Sequence, residues 1–197
     1  IVSGGKTSFQ LTFPDGGKAR VEIAVRGRHM VMNALLAAAS GWKSGLSVEE
    51  VADGLGSVEL TGGRLQEKEV AGLRFLDDSY NANPDSMRAA LNTLGEFEVS
   101  GRRIAVLGMM GELGEHEEKE HLSLGIFVGA GNVDLLITVG SVAAAINQGA
   151  GDLIEHMNFS SHEEAGHFLR ENSAKDDLIL LKGSRSARME TILLSLN

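Results

Sequence analysis

The chain has 197 residues, enough for one domain or two small ones, and sets 18 Lys plus Arg against 27 Asp plus Glu for a net charge of −9. That acidity argues against a nucleic-acid partner or an anionic-membrane binder, because both need clustered positive charge. The chain has no cysteine and 43% hydrophobic residues, which excludes disulfides, thiol catalysis, Cys-ligated metals and global disorder.

Residues 8–13 alternate apolar and polar as a half-buried strand does, Pro14-Asp15-Gly16-Gly17 reads as a turn, and residues 19–25 alternate again. Together they predict a β-hairpin. From Arg28 to Ser40 the pattern becomes helical and Ala-rich with a nearly all-round apolar surface, which predicts a buried helix. Ser47-Val48-Glu49-Glu50 is a capping box that opens a short helix ending near Gly54 or Gly56. Leu60-Thr61-Gly62-Gly63 has the composition of a hinge.

Beyond it the spacing predicts strands at 65–70, 73–77, 102–107, 133–139, 156–159 and 177–182, and helices at 85–97, 115–129, 141–149, 161–172 and 185–196. Ser161-His162-Glu163-Glu164 is a second capping box. Ile104-Ala105-Val106-Leu107 and Leu178-Ile179-Leu180-Leu181 are continuous apolar runs, as in parallel strands covered on both faces. The expected fold is α/β: a doubly wound, mostly parallel, Rossmann-like domain over 61–197, preceded by residues 1–60 as the tail of another domain. The apolar runs at 31–39 and 133–146 are too short, or broken by Asn33, Asp134 and Gly140, so no membrane insertion is expected. No basic stretch precedes an apolar one, so no signal peptide is read. The chain starts without Met inside a strand-like stretch, and is expected to be a fragment of a longer protein.

In open α/β sheets ligands sit outside the carboxyl ends of the strands, which selects three places. The first is Asp77-Asp78-Ser79-Tyr80-Asn81-Ala82-Asn83-Pro84-Asp85-Ser86-Met87, dense in carboxylates, amides and hydroxyls. Adjacent strand side chains point to opposite faces, so Asp77 and Asp78 cannot share one job. Asn83 or Asp85 is expected to cap the following helix, which accounts for one residue but not for the density. The second is the loop with Gly108, Gly111 and Gly114; position 110 is Met, so the dinucleotide fingerprint is incomplete. Glu115, Glu117 and Glu118 open the next helix and disfavour a phosphate there. The third is Lys182-Gly183-Ser184-Arg185-Ser186, where two cations and two hydroxyls meet free N–H groups and suit an anion such as a carboxylate or phosphate. A plain turn with Ser184 as helix cap accounts for it equally.

Gly4-Gly5-Lys6-Thr7 resembles the end of a phosphate loop but is followed by a strand. His116 and His121, like His162 and His167, are five residues apart, off a shared helical face, and all four are expected to be solvated surface residues rather than zinc ligands.

The 77–87 run is similar to the C-terminal-domain signature of the Mur ligase family. Gly63-Arg64-Leu65-Gln66, Val106-Leu107-Gly108 with Glu112-Leu113-Gly114, and Lys182-Gly183-Ser184-Arg185 with Met189-Glu190 resemble it in order and spacing. Gly27-Arg28-His29 with Asn33-Ala34-Leu35 resembles the end of the family's central, ATP-binding domain. Asn-Ala-Asn and Lys-Gly-Ser, where sibling ligases carry His, favour the member that adds a dipeptide.

The resemblance implies a cytoplasmic ATP-dependent amide ligase of cell-wall peptidoglycan synthesis. It would add D-Ala-D-Ala to UDP-N-acetylmuramoyl-tripeptide through an acyl phosphate, with ATP and Mg2+, the metal ligands lying mainly outside this chain. It further implies His29 and Asn33 in the adenine region, Arg64 at the phosphates, and Asp78 at the ribose or its surroundings, with Asp78 and Arg64 as the catalytic candidates. Asn81, Asn83, Lys182, Ser184 and Arg185 are the candidates for the dipeptide, because cations suit its carboxylate and amides its peptide group. Met30 stands where the family has Asn, and Met109 where it has Asp. With no complete phosphate loop, this chain alone is expected not to turn over. A sibling ligase adding another amino acid, an NAD-type nucleotide-binding module, and a non-catalytic interaction module are the alternatives.

Overall fold

The computed structural model describes residues 2–3, 6–24, 28–58 and 62–196, with backbone only for 2–3 and 28–29. Gly4-Gly5, residue 25 at the end of the second expected strand, Gly27, and Leu60-Thr61 of the expected hinge lie outside the described residues. The chain divides into two compact units, 1–61 and 62–197.

The first unit holds the antiparallel strands β1 (Val2–Ser3), β2 (Lys6–Thr12) and β3 (Lys18–Ile23), followed by helices α1 (Arg28–Lys43) and α2 (Val48–Gly56). The Pro14–Gly17 turn closes the β2–β3 hairpin: the Phe13 and Gly17 backbones are joined at 2.9 Å, and Asp15 Oδ1 accepts from Gly17 N–H. The Ser47 capping box is formed as its sequence dictates. Leu11, Phe13, Val21 and Ile23 pack against Ala34, Ala38 and Val51. The expectation that α1 is buried all round is corrected here. Met32, Leu35 and Leu36 are 58%, 41% and 64% exposed, because a three-stranded sheet and one short helix cover only the Ala34–Ala38 stripe.

The second unit is a six-stranded sheet in the order β4-β5-β9-β6-β7-β8. Its strands are β4 (Gln66–Val70), β5 (Leu73–Asp78), β6 (Arg103–Leu107), β7 (Leu135–Val139), β8 (Glu155–Phe159) and β9 (Leu178–Lys182). All neighbours are parallel except β4 and β5. Those two form a hairpin across Ala71 and Gly72, both at positive φ (52° and 77°), the turn whose twist matches that of paired strands.

Residue parity divides the core. Leu76, Ala105, Leu107, Leu136 and Leu180 join the cluster containing the buried residues of α3 (Pro84–Glu96), α4 (Glu117–Gly129) and α5 (Ala144–Ala150). Phe75, Ile104, Val106, Ile137, Ile179 and Leu181 join that of α6 (His162–Asn172) and α7 (Thr191–Ser195). Helices on both faces of a mostly parallel sheet are the doubly wound arrangement expected. The last expected helix is interrupted: a 3-10 turn over Arg185–Ala187 ends at Arg188, φ 48°, before α7 begins. Among the described residues no helix is long and apolar enough to cross a membrane.

Candidate functional site

The carboxyl edge of the second sheet gathers residues from four separate stretches of chain. Parallel pairing sets Asp78 of β5 directly beside Lys182 of β9. Both follow the parity of Leu76 and Leu180, so they leave the sheet on the α3–α5 side. Lys182 Nζ lies 2.6 Å from Asp78 Oδ2 and donates a second hydrogen bond, at 2.9 Å, to the Asn81 carbonyl. Asp78 Oδ1 accepts from the backbone N–H of Leu65 at 3.1 Å. Lys182 is 2% exposed, and a charge so buried is tolerable only with its countercharge and acceptors in place.

Asp77 projects to the other face, as alternation requires. It is buried, pairs with Lys68 at 2.5 Å, and accepts from Ser79 N–H and Oγ. It fixes the turn after β5 and stays out of the cluster.

The antiparallel hairpin is what delivers Arg64. Since β4 runs against β5, the residues before β4 lie at the carboxyl end of β5, and Tyr80 N–H donates to Gly63 O at 2.9 Å. Gly63 has φ 74°, and a Cβ there would stand 2.9 Å from Tyr80 N, so a side chain is excluded on both counts. Arg64, exposed, lays its guanidinium 4.5 Å from the centroid of the Tyr80 ring, a cation–π contact that restrains an otherwise mobile side chain.

Asn83 caps α3: its Oδ1 accepts from Ser86 N–H at 2.8 Å, and Ser86 Oγ accepts from Asn83 N–H at 3.0 Å. Asn81 Oδ1 accepts from Ala82 N–H. Beyond β6 and β9 the ladder continues into the loops. Gly108 N–H donates to Lys182 O at 2.8 Å, and Ser184 N–H to Met109 O at 2.9 Å. Ser184 is buried, with its Oγ 3.0 Å from Ser186 Oγ. Arg185 is turned outward and paired with Glu190 at 2.7 Å. The two cations expected side by side at 182 and 185 are therefore divided between two carboxylates.

Asn33 sits exposed on α1 of the first unit, its amide 3.8 Å from the sulfur of Met30, the residue that departs from the family pattern. The His29 side chain lies outside the described residues.

Two histidines correct the surface expectation. His121 is 0% exposed, with both ring nitrogens hydrogen-bonded. His162 is half-buried, with Nε2 2.7 Å from Ala187 O. The signal for His121 was its spacing: it falls on one helical stripe with Leu124, Gly125 and Val128, the buried residues of α4. Tyr80 was missed as a partner of Arg64, because only the hairpin brings them together.

Residues 63–185 match the family model for the Mur ligase, glutamate ligase domain. The UDP-N-acetylmuramoyl-tripeptide–D-alanyl-D-alanine ligase of Bacillus subtilis (strain 168) is 38% identical over 174 residues, covering 86% of this chain and 38% of that protein. Its namesake from Escherichia coli (strain K12) is 36% identical over 193 residues, 96% of this chain and 41% of that protein. A crystal structure of MurF from Acinetobacter baumannii superposes with a TM-score of 0.85 at 33% identity, over 98% of this chain and 42% of that one. The chain thus spans about two fifths of the length of the proteins it matches.

Proposed function

We infer the function of this chain from its kinship: it belongs to the Mur ligase family. We propose that it is the C-terminal portion of a cytoplasmic ATP-dependent ligase that joins D-Ala-D-Ala to UDP-N-acetylmuramoyl-tripeptide in peptidoglycan-precursor synthesis. In this reading residues 1–60 end the ATP-binding central domain, and residues 61–197 are the C-terminal domain. What carries the reading is the cluster of Asp78, Lys182, Arg64 and the 81–83 amides at one sheet edge, in a chain 38% identical to a relative of that name.

ATP supplies the activating phosphate and Mg2+ its countercharge. Among the described residues no group of three or more His, Cys, Asp or Glu is disposed to hold a metal ion. The side chains named here bind and orient. Arg64, steadied on Tyr80, offers a planar fork that matches phosphate oxygens. Leu65 N–H and Lys182, on different oxygens, hold Asp78 at the sheet edge, where in this reading its carboxylate faces the ribose. Lys182 acts by fixing Asp78 and the Asn81 carbonyl. Arg185, held at one end by Glu190, keeps further N–H donors for the dipeptide carboxylate. Asn81, Asn83 and Ser184 offer their amides and hydroxyl to its peptide group.

The test is phosphate release from ATP by the full-length ligase that carries this chain, with UDP-muramoyl-tripeptide present. Release is expected to depend on D-Ala-D-Ala and not to be supported by L-Ala-L-Ala. Release indifferent to the D,D-dipeptide overturns the assignment.

A further inference from the structure

The reading above leaves His121 without a role, yet its surroundings are among the most specific at this edge of the sheet. It is fully buried on α4. Nε2 lies 2.8 Å from the backbone nitrogen of Met110, and Nδ1 lies 2.7 Å from the Glu117 carbonyl. An amide N–H can only donate, so Nε2 is the acceptor. A carbonyl can only accept, so Nδ1 carries the proton. The neutral Nδ1–H tautomer is the one form of the ring that satisfies both partners; the imidazolium has no acceptor left for Met110.

Met110 belongs to the loop that lies against the Lys182–Ser186 segment. The residue before it accepts from Ser184 N–H, and Gly108 N–H donates to Lys182 O. Two residues after Met110, Glu112 has φ 62°, a left-handed conformation that a residue with a side chain holds only when its surroundings impose it. The loop is therefore tied on one side to β9 and on the other to α4, and His121 is the side chain that makes the second tie. Met110 is itself fully buried, so no water replaces the imidazole as acceptor for its N–H.

We propose that His121 is a positioning residue. It latches the 108–112 loop against the 182–186 segment and so shapes the pocket that receives the amine substrate, the D,D-dipeptide. The substrate named here rests on the functional reading above; the latch rests on the geometry alone.

Two isosteres separate the latch from general packing. His121→Gln carries its amide oxygen out to the Nε2 position and can accept from Met110. His121→Asn places its amide at the Nδ1 position and cannot reach. In the full-length ligase, His121→Gln is expected to keep the KM for D-Ala-D-Ala within about threefold, and His121→Asn to raise it roughly tenfold with the KM for ATP unchanged. Equal effects of the two variants, or KM values for ATP and dipeptide that move together, overturn the proposal.

On the chain itself, imidazole 15N resonances should report a protonated Nδ1 and a bare Nε2. The Met110 amide should exchange slowly in the parent and in His121→Gln, and fast in His121→Asn. The other tautomer, or Met110 protection that survives in His121→Asn, overturns the latch. A parent ligase with no dipeptide-dependent turnover overturns the functional reading instead, and the resonance and exchange measurements then decide the latch independently.

Discussion

Asp77 and Asp78 are neighbours in sequence, and the pleat of β5 sends them to different tasks. Alternation makes that separation legible in the sequence, but not which carboxylate meets a lysine from 104 residues away. That choice belongs to the register of β5 on β9, and no local pattern encodes it. Arg64 is a parallel case: its chemistry suits phosphate, but its placement depends on Tyr80. On the proposed function, Arg64→Ala in the full-length ligase is expected to raise the KM for ATP roughly tenfold. Tyr80→Phe, which keeps a ring face, should leave that KM within about twofold. Steady-state kinetics with ATP varied at saturating acceptor checks both.

The elements themselves were readable because each has a local cause. Ser47, Asn83 and Ser161 each complete a reciprocal cap with the residue three positions on, and the five-residue strands β7 and β9, apolar but for Thr138 and Lys182, are buried along their whole length. What joins the elements was harder to read. At the amino ends of β6 and β9, Asp177 accepts from Arg102 N–H at 2.7 Å, from the Arg102 guanidinium at 2.8 Å and from Ala174 N–H at 3.0 Å. Burial pushes this carboxyl upward, but the Arg102 side chain and the two backbone donors outweigh it and hold it below the ordinary aspartate range.

Asp177→Ala leaves those donors without their acceptor and should cost roughly 2–4 kcal/mol in urea unfolding. Because the folded-state pKa is depressed, the stabilisation is complete above the unfolded value near 3.9 and is lost as pH falls through the lower folded value. The stability difference between parent and Asp177→Ala should therefore shrink below about pH 4. At the crossing of α4 and α5, a Cβ on Gly125 would stand 1.9 Å from the Ile146 carbonyl oxygen. The two backbones touch there, a constraint of packing that helix propensity gives no sign of.

At the scale of the molecule, each unit has its own core. Residues 62–197 contain a sheet with both faces covered, so they should fold without the first unit and unfold in one cooperative step by circular dichroism. A molten product, without near-ultraviolet structure, would contradict that. The chain spans about two fifths of the length of its relatives and its sequence carries no complete phosphate loop, so by itself it should not hydrolyse ATP with magnesium; a phosphate-release assay on the 197-residue chain checks it.

The sequence by itself determined the alternation of strands and helices, the mostly parallel sheet and the position of the 77–87 and 182–186 segments at strand ends. These follow from hydrophobic period, capping residues and turn residues, all local properties. Only the tertiary structure decided that Lys182 serves Asp78, that Arg64 rests on Tyr80, that α1 keeps an apolar face exposed and that His121 is buried and bonded at both nitrogens. Each of these depends on strand register, hairpin direction or helix crossing, where residues distant in sequence become neighbours through packing.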